Sequence, residues 1–351
     1  MTLADYTVQR TSRAARIAAT LGAIALVALI AAPWWAGRAD MRLISELCLY
    51  LALASLWNLM AGYAGLVSVG QQAYVGLGGY VLFALTILAG IDPLVAIGLA
   101  GIAGALISVP VATLIFRLRG AYFAIGTWVI AEVFRLLFSQ LSVLGGGSGT
   151  SLPAGIVKGL ADSRDGREAL SYWLALGAAV AVVAAVYLFL RSRKGLALTG
   201  IRDNELAAAS LGIDIWRTKF LVYVVTSALT AMVGALIFLQ TLRISPDAAF
   251  SVNDWTAFVI FIVVIGGIGT IEGPIIGTLI FFALRETLAD LGTIYLLVLG
   301  LVAIVVMLKA PRGVWGLIRD RFDTDLFPLG YRVMAPARQT SKPTIANTKE
   351  A

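Results

Sequence analysis

The groups in this sequence best suited to handle a polar solute lie in one stretch, residues 62–80, GYAGLVSVGQQAYVGLGGY. Ser68, Gln71, Gln72 and Tyr74 bring hydroxyl and amide donors and acceptors into an otherwise apolar region. Such groups bind and orient; no nucleophile and base stand together here. Each interior glycine costs a helix about 1 kcal/mol relative to alanine, so Gly62, Gly65, Gly70 and Gly76 are expected to break a helix. Inside a membrane, the free end of a broken helix can hold a carboxylate near the midplane. Close helix packing also uses glycine, but it does not explain two adjacent glutamines. The stretch is therefore expected to border a translocation path.

A second polar stretch, residues 191–219, carries six basic residues and a short helix signal. Asp203 or Asn204 can cap the helix N-terminus, and Glu205 suits the positive end of its dipole. Residues 206–211 favour helix, and Gly212 can close it. Ala207, Ala208 and Ala209 present little side chain, so another protein can approach closely. The pattern fits a docking helix for a soluble partner, or a solvated turn between spans.

Ionisable residues within apolar runs mark function by default. Here they are Glu46, Glu132, Arg135, Arg285 and Glu286. Glu132 and Arg135 stand three apart and can pair on one helix face. Arg285 and Glu286 sit near a span end and can snorkel. Residues 145–153, GGGSGTSLP, read either as an external mouth or as a flexible loop. The chain has no histidine, no Cys/His cluster, no G-x-S-x-G elbow and no G-x-x-x-x-G-K-[ST] loop. It therefore carries no recognisable catalytic, metal or nucleotide motif.

These stretches must be held by membrane spans. The 351 residues are 60% hydrophobic and 13% charged, far from a soluble domain. Apolar runs of about 20 residues cross a bilayer. The expected architecture is an all-α polytopic membrane protein of about ten transmembrane helices, near 17–36, 42–61, 72–90, 93–116, 121–141, 170–190, 219–241, 255–270, 273–289 and 293–309. The eighth and ninth are short and can instead form a re-entrant hairpin. Three arginines precede the first run, but Pro33-Trp34-Trp35 follows where a signal peptide needs small residues, so it reads as a retained span. Of 27 Lys and Arg, 19 fall on one side of this arrangement and 6 on the other. Basic loops stay inside, so both termini and the 191–219 loop are expected in the cytoplasm. The division is a tail at 1–16, a permease domain at 17–309, and a polar, irregular tail at 310–351. Loops and tails explain the net charge of +7 without nucleic acid. The single Cys48 excludes a disulfide framework.

Several segments together resemble the LivM-like permeases of the branched-chain amino-acid ABC importers. They are Asn58-Leu59, Gly62-Tyr63-Ala64-Gly65-Leu66, Gly70-Gln71-Gln72-Ala73, residues 119–125 (RGAYFAI), residues 200–208 (GIRDNELAA), residues 265–270 (IGGIGT), Glu272-Gly273-Pro274 and Ala310-Pro311-Arg312-Gly313. The resemblance covers residues 46–318. ABC importer permeases carry a cytoplasmic Glu-Ala-Ala…Gly loop that docks on the ATPase. Glu205, Ala207, Ala208 and Gly212 look like it, with Leu206 inserted after the glutamate; Arg202, Asp203 and Asn204 lead into it. The resemblance implies a second, LivH-like permease, two ABC ATPase subunits, a periplasmic binding protein and a bacterial inner membrane. ATP and Mg²⁺ would sit on the ATPases, with no cofactor in this chain. It also implies alternating access and a branched-chain amino acid as cargo, although related permeases move urea, short amides or aromatic acids. Residues 145–153 depart from the Thr-Gly-Gly-x-x-Gly-Leu pattern common there. An ion-coupled secondary transporter is the competing reading.

Overall fold

A computed structural model describes residues 7–9, 13–160, 163–288, 294–322, 326–327 and 332–334. Its helices follow the apolar runs. They are α1 (Arg13–Ile30), α2 (Arg38–Asn58), α3 (Gln71–Leu88), α4 (Pro93–Ile115), α5 (Ala121–Ser139), the short α6 (Ala154–Leu160) and α7 (Arg164–Leu190). After them come α8 (Arg193–Asp203), α9 (Glu205–Ser210), α10 (Ile215–Thr241), α11 (Pro246–Ala249), α12 (Phe258–Gly266), α13 (Glu272–Leu288), α14 (Ile294–Lys309) and α15 (Gly313–Phe322). Local chemistry sets several starts. Asp92 accepts the Leu94 N–H at 2.8 Å before α4, where Pro93 lacks a donor to lose. Ser163, Ser192 and Asp214 cap α7, α8 and α10 in the same way.

Among the described residues, eight helices are long and apolar enough to cross a membrane: Arg38–Tyr63, Gln71–Leu88, Pro93–Ile115, Ala121–Ser139, Arg164–Leu190, Ile215–Thr241, Pro246–Gly266 and Ile294–Arg321. The first and ninth expected spans are helical but shorter, at Ala15–Ile30 and Glu272–Leu288. The helix leading into the eighth starts earlier than expected, at Pro246, because Ser245 caps it.

The core is built on α2, α3 and α10. α10 packs along both α3 and α4, and α2 packs along α7. The close approach of α3 and α10 depends on two glycines facing each other's backbones. A Cβ on Gly78 would lie 1.9 Å from the Ala231 carbonyl oxygen, and one on Gly234 would lie 2.2 Å from that of Val75. Small residues let helices touch where lipid supplies no hydrophobic drive.

Two expectations about irregular segments change. Residues 145–153, read as a mouth or a flexible loop, are ordered backbone. They form tight turns, and β2 (Thr150–Ser151) pairs antiparallel with β3 (Arg243–Ile244). Pairing satisfies their backbone groups and fixes the loop. Most of the tail expected to be irregular after Arg321 lies outside the described residues, as do residues 1–6. The described parts of that tail are docked. The buried Glu272 carboxylate accepts the Leu326 and Phe327 N–H groups at 3.1 and 2.9 Å, and Phe327 packs edge-on against Tyr187. β4 (Arg332–Met334) pairs antiparallel with β1 (Thr7–Gln9), so the two tails meet.

Candidate transport site and coupling loop

The helical path of α2 does not simply end at Asn58. It widens into a π-helical turn, Leu59–Tyr63, and leaves helix altogether over residues 64–70. Gly65 has φ +67°, which glycine adopts without a Cβ clash. The irregular backbone is confined to residues 64–70. The helix expected to break within 62–80 is not interrupted there: residues 64–70 connect two separate membrane-length helices, Arg38–Tyr63 and Gln71–Leu88, and α3 is continuous from Gln71. Gly76 is inside that helix. Its missing side chain leaves room for the Phe250 ring, which would lie 2.4 Å from a Cβ there. Its role is packing, and it does not break the helix.

The four polar residues gather at this junction, all buried. Ser68 Oγ accepts the Gly70 N–H at 3.1 Å, while the Ser68 carbonyl accepts the Trp57 indole N–H at 2.8 Å. Gln71 donates to the Leu53 carbonyl at 3.0 Å. Gln72 accepts from the Thr256 hydroxyl, and Tyr74 meets Tyr223 hydroxyl to hydroxyl at 3.0 Å. The cluster thus ties α3 to α2, to α10 and to the turn before α12. Gln71 Oε1 is buried without a hydrogen-bond partner. Beside it is a cavity of about 10 Å³, lined by Ser68, Gln71, Tyr74, Tyr223 and Ser227 among others, the size of one water. The polar side chains stand behind the turn. Gly65 and Val67 are what it shows to the outside. Val67 was not among the expected site residues, because nothing in an isolated valine marks a surface.

A second irregular segment, residues 267–271, joins α12 to α13 and locks against the first. Asn58 Oδ1 accepts the Gly269 N–H at 2.8 Å, and its Nδ2 donates to the Thr270 carbonyl at 2.7 Å. Gly62 faces the same loop: a Cβ there would lie 2.6 Å from Gly269 N. Neither pairing was visible in the sequence, where Asn58 stood out only as part of a family-like segment.

The 191–219 loop reaches this lock. The Arg202 guanidinium stacks over the Tyr63 ring at 5.7 Å, and a Cβ on Gly269 would lie 3.4 Å from its Nη1. The cap expected from Asp203 or Asn204 is made by Asn204, which accepts the Ala207 N–H at 3.0 Å. Glu205 pairs with Lys219 across the loop, and Gly212 closes the helix at φ +81°. One detail is corrected. Ala208, expected on the approachable face, is only 2% exposed and packs inside its own chain. Its small size serves the seat of α9 against α8 and α10. The exposed apolar side chains are Leu206, at 84%, and Leu211, at 81%.

Four of the five ionisable residues are paired. Arg135 bonds Glu132 at 2.6 Å, as the spacing implied, and also Asp247 at 2.8 Å. Arg285 does not snorkel alone. It makes a two-pronged bond to Glu46 of α2, both contacts at 2.7 Å, while Glu286 stays exposed.

Membrane-length helices, a buried polar cluster beside the turn that joins two of them, and a polar loop seated on that turn fit a polytopic membrane permease. The sequence comparisons name its family. The family described as "Branched-chain amino acid transport system / permease component" matches residues 41–308. The chain belongs to that family. It is 28% identical over 322 residues to the high-affinity branched-chain amino acid transport system permease protein LivM of Escherichia coli (strain K12), covering 84% of this chain and 74% of that protein. The LivM of Salmonella typhimurium matches equally. A probable branched-chain amino acid transport permease protein LivM of Methanocaldococcus jannaschii is 26% identical over 280 residues, covering 68% of this chain and 78% of the relative. No solved structure matches. The chain is thus a transport subunit and not an enzyme.

Proposed function

We propose that this chain is the transmembrane permease subunit of an ATP-driven ABC importer for branched-chain amino acids. It works with a second, LivH-like permease, two ATPase subunits that hold ATP and Mg²⁺, and a periplasmic binding protein. The cargo is inferred from the names of the relatives. Ten crossings of a bacterial inner membrane, with both tails in the cytoplasm, complete the reading. The pairing of β1 with β4 supports it, because tails that meet require an even number of crossings.

The observation that carries the mechanism is the seat of the 191–219 loop. Arg202 rests on Tyr63 and beside Gly269, the two irregular segments that bound the polar cluster. Residues 202–212 form the coupling helix region, with Leu206 and Leu211 as its contacts to the ATPase. Displacement of the loop by ATPase closure moves the turn at 64–70. Ser68, Gln71, Gln72 and Tyr74 then belong to a wall of the path that opens as α3 shifts against α10. Their burial within the chain supports reading this arrangement as the sealed half of alternating access.

The test is uptake of labelled leucine by proteoliposomes holding the complete importer, with binding protein outside and ATP inside. Uptake is expected to require ATP. Uptake driven by an ion gradient without ATP would select a secondary transporter instead. In the same assay Leu206→Asp with Leu211→Asp should leave the complex's spans folded but release the ATPase or abolish uptake. Exposed interface anchors typically cost about 2 kcal/mol each, roughly a thirtyfold loss of affinity. Wild-type uptake would move the docking role to residues 117–120.

A further inference from the structure

The end of α2 away from the polar cluster borders a cavity of about 790 Å³. It lies where α2, α7 and α10 diverge under α6. Four arginines line it: Arg38, Arg42, Arg164 and Arg167. The sequence puts only six basic residues on that side of the chain, and basic side chains are disfavoured there. Four of the six converge on one cavity. Two carboxylates, Glu46 and Glu168, also line it. Glu46 pairs with Arg285, Glu168 pairs with Arg38 and Arg164, and Arg38 also meets Asp165. The lining itself holds two more arginines than carboxylates. Arg42 makes no ion pair among the described residues. Below the arginines the lining turns apolar, with Leu49, Leu174 and Ile237.

The depth of the cavity identifies its occupant. Trp34 and Trp35 are exposed, and the Trp34 ring packs 6.1 Å from that of Trp173 on α7. Exposed tryptophans at span ends mark the membrane–water boundary. Arg167 is six residues before Trp173 on the same helix, about 9 Å further toward water. Leu174 follows Trp173 directly at that boundary, and Leu49 stands seven residues beyond Arg42 on α2, about 10 Å deeper. The arginines therefore stand at headgroup level and the apolar floor at acyl depth. A dissolved phosphate or carboxylate would satisfy the first and leave the second bare.

We propose that this cavity binds one anionic phospholipid, its phosphate held by Arg42 and an acyl chain lying on Leu49 and Leu174. The site is separate from the polar cluster and from the coupling loop. The bound lipid fills the space between α2, α7 and α10 and so holds the outer ends of the spans in place.

The test is native mass spectrometry of the purified full chain after exposure to equal amounts of phosphatidylglycerol and phosphatidylethanolamine. One phosphatidylglycerol should be retained in preference. Arg42→Gln should reduce retention about fivefold, the effect of one basic residue on an anionic lipid. Leu174→Trp, which fills the floor without touching charge, should reduce it as well. Arg243→Gln, on the same side but outside the cavity, should not. Circular dichroism of each variant separates loss of lipid from loss of fold. The proposal is overturned if both cavity variants, folded, retain lipid as the parent does. It is overturned equally if the two lipids are retained alike, or if inorganic phosphate or free leucine displaces the lipid.

Discussion

The two ends of α2 make contact in opposite ways. At the end that widens into the π turn, contact is backbone to backbone. Gly62 and Gly269 have no side chains to separate them, and one asparagine fills both bonds of the facing loop. At the Arg38 end, contact is made by long charged side chains around a cavity, with Arg285 reaching Glu46 from α13. Short contacts through small residues leave no slack, so a displacement on one side is felt on the other. Long side chains around open space can re-aim. The contrast suits an end that receives the coupling loop and an end that accommodates a ligand.

The contrast can be broken by substitution. The largest loss is expected for Gly62→Val, whose Cβ would lie 2.5 Å from Asn58 Oδ1 and 2.6 Å from Gly269 N. Overpacking against backbone that cannot move costs roughly 3 kcal/mol or more. The thermal midpoint of the purified chain in detergent should fall sharply, and an unchanged midpoint would show that the two segments do have slack. Asn58→Leu should cost about 2 kcal/mol in the same measurement, because the Gly269 N–H and Thr270 carbonyl lose their partner.

Arg285→Gln tests the other end. Its ion pair with Glu46 is geometrically good, but the side chains are 26% and 41% exposed. Solvent screening limits the loss to about 1 kcal/mol. A loss equal to that of Gly62→Val would erase the difference between the ends. The smallest stability change is expected for Arg202→Ala, about 0.5 kcal/mol for a partly exposed stack on Tyr63. Its effect should appear elsewhere, as less cargo moved per ATP hydrolysed by the assembled importer. An unchanged ratio would mean that the coupling loop acts through another contact.

Much of the molecule was legible in the chain because its signals are local. Apolar runs mark helices, since a backbone in lipid must bond within itself. Asn204 caps the loop helix, and the spacing of Glu132 and Arg135 fixes their pairing, because helix geometry alone decides which side chains stand three apart. The glycines and glutamines at 62–74 marked the irregular turn between α2 and α3. Other features were set by packing. Asn58 finds partners more than 200 residues away, and Glu46 finds Arg285 at 239. Gly76 and Gly62 are the same residue in the sequence, but one accommodates a phenylalanine ring and the other a facing backbone. Ala208 turned inward and Leu206 outward, although both stand in one short helix that the sequence placed correctly. Periodicity tells which residues share a face of a helix. Which face meets which neighbour is decided only when the helices pack, because that choice depends on shape and charge from elements far apart in the chain.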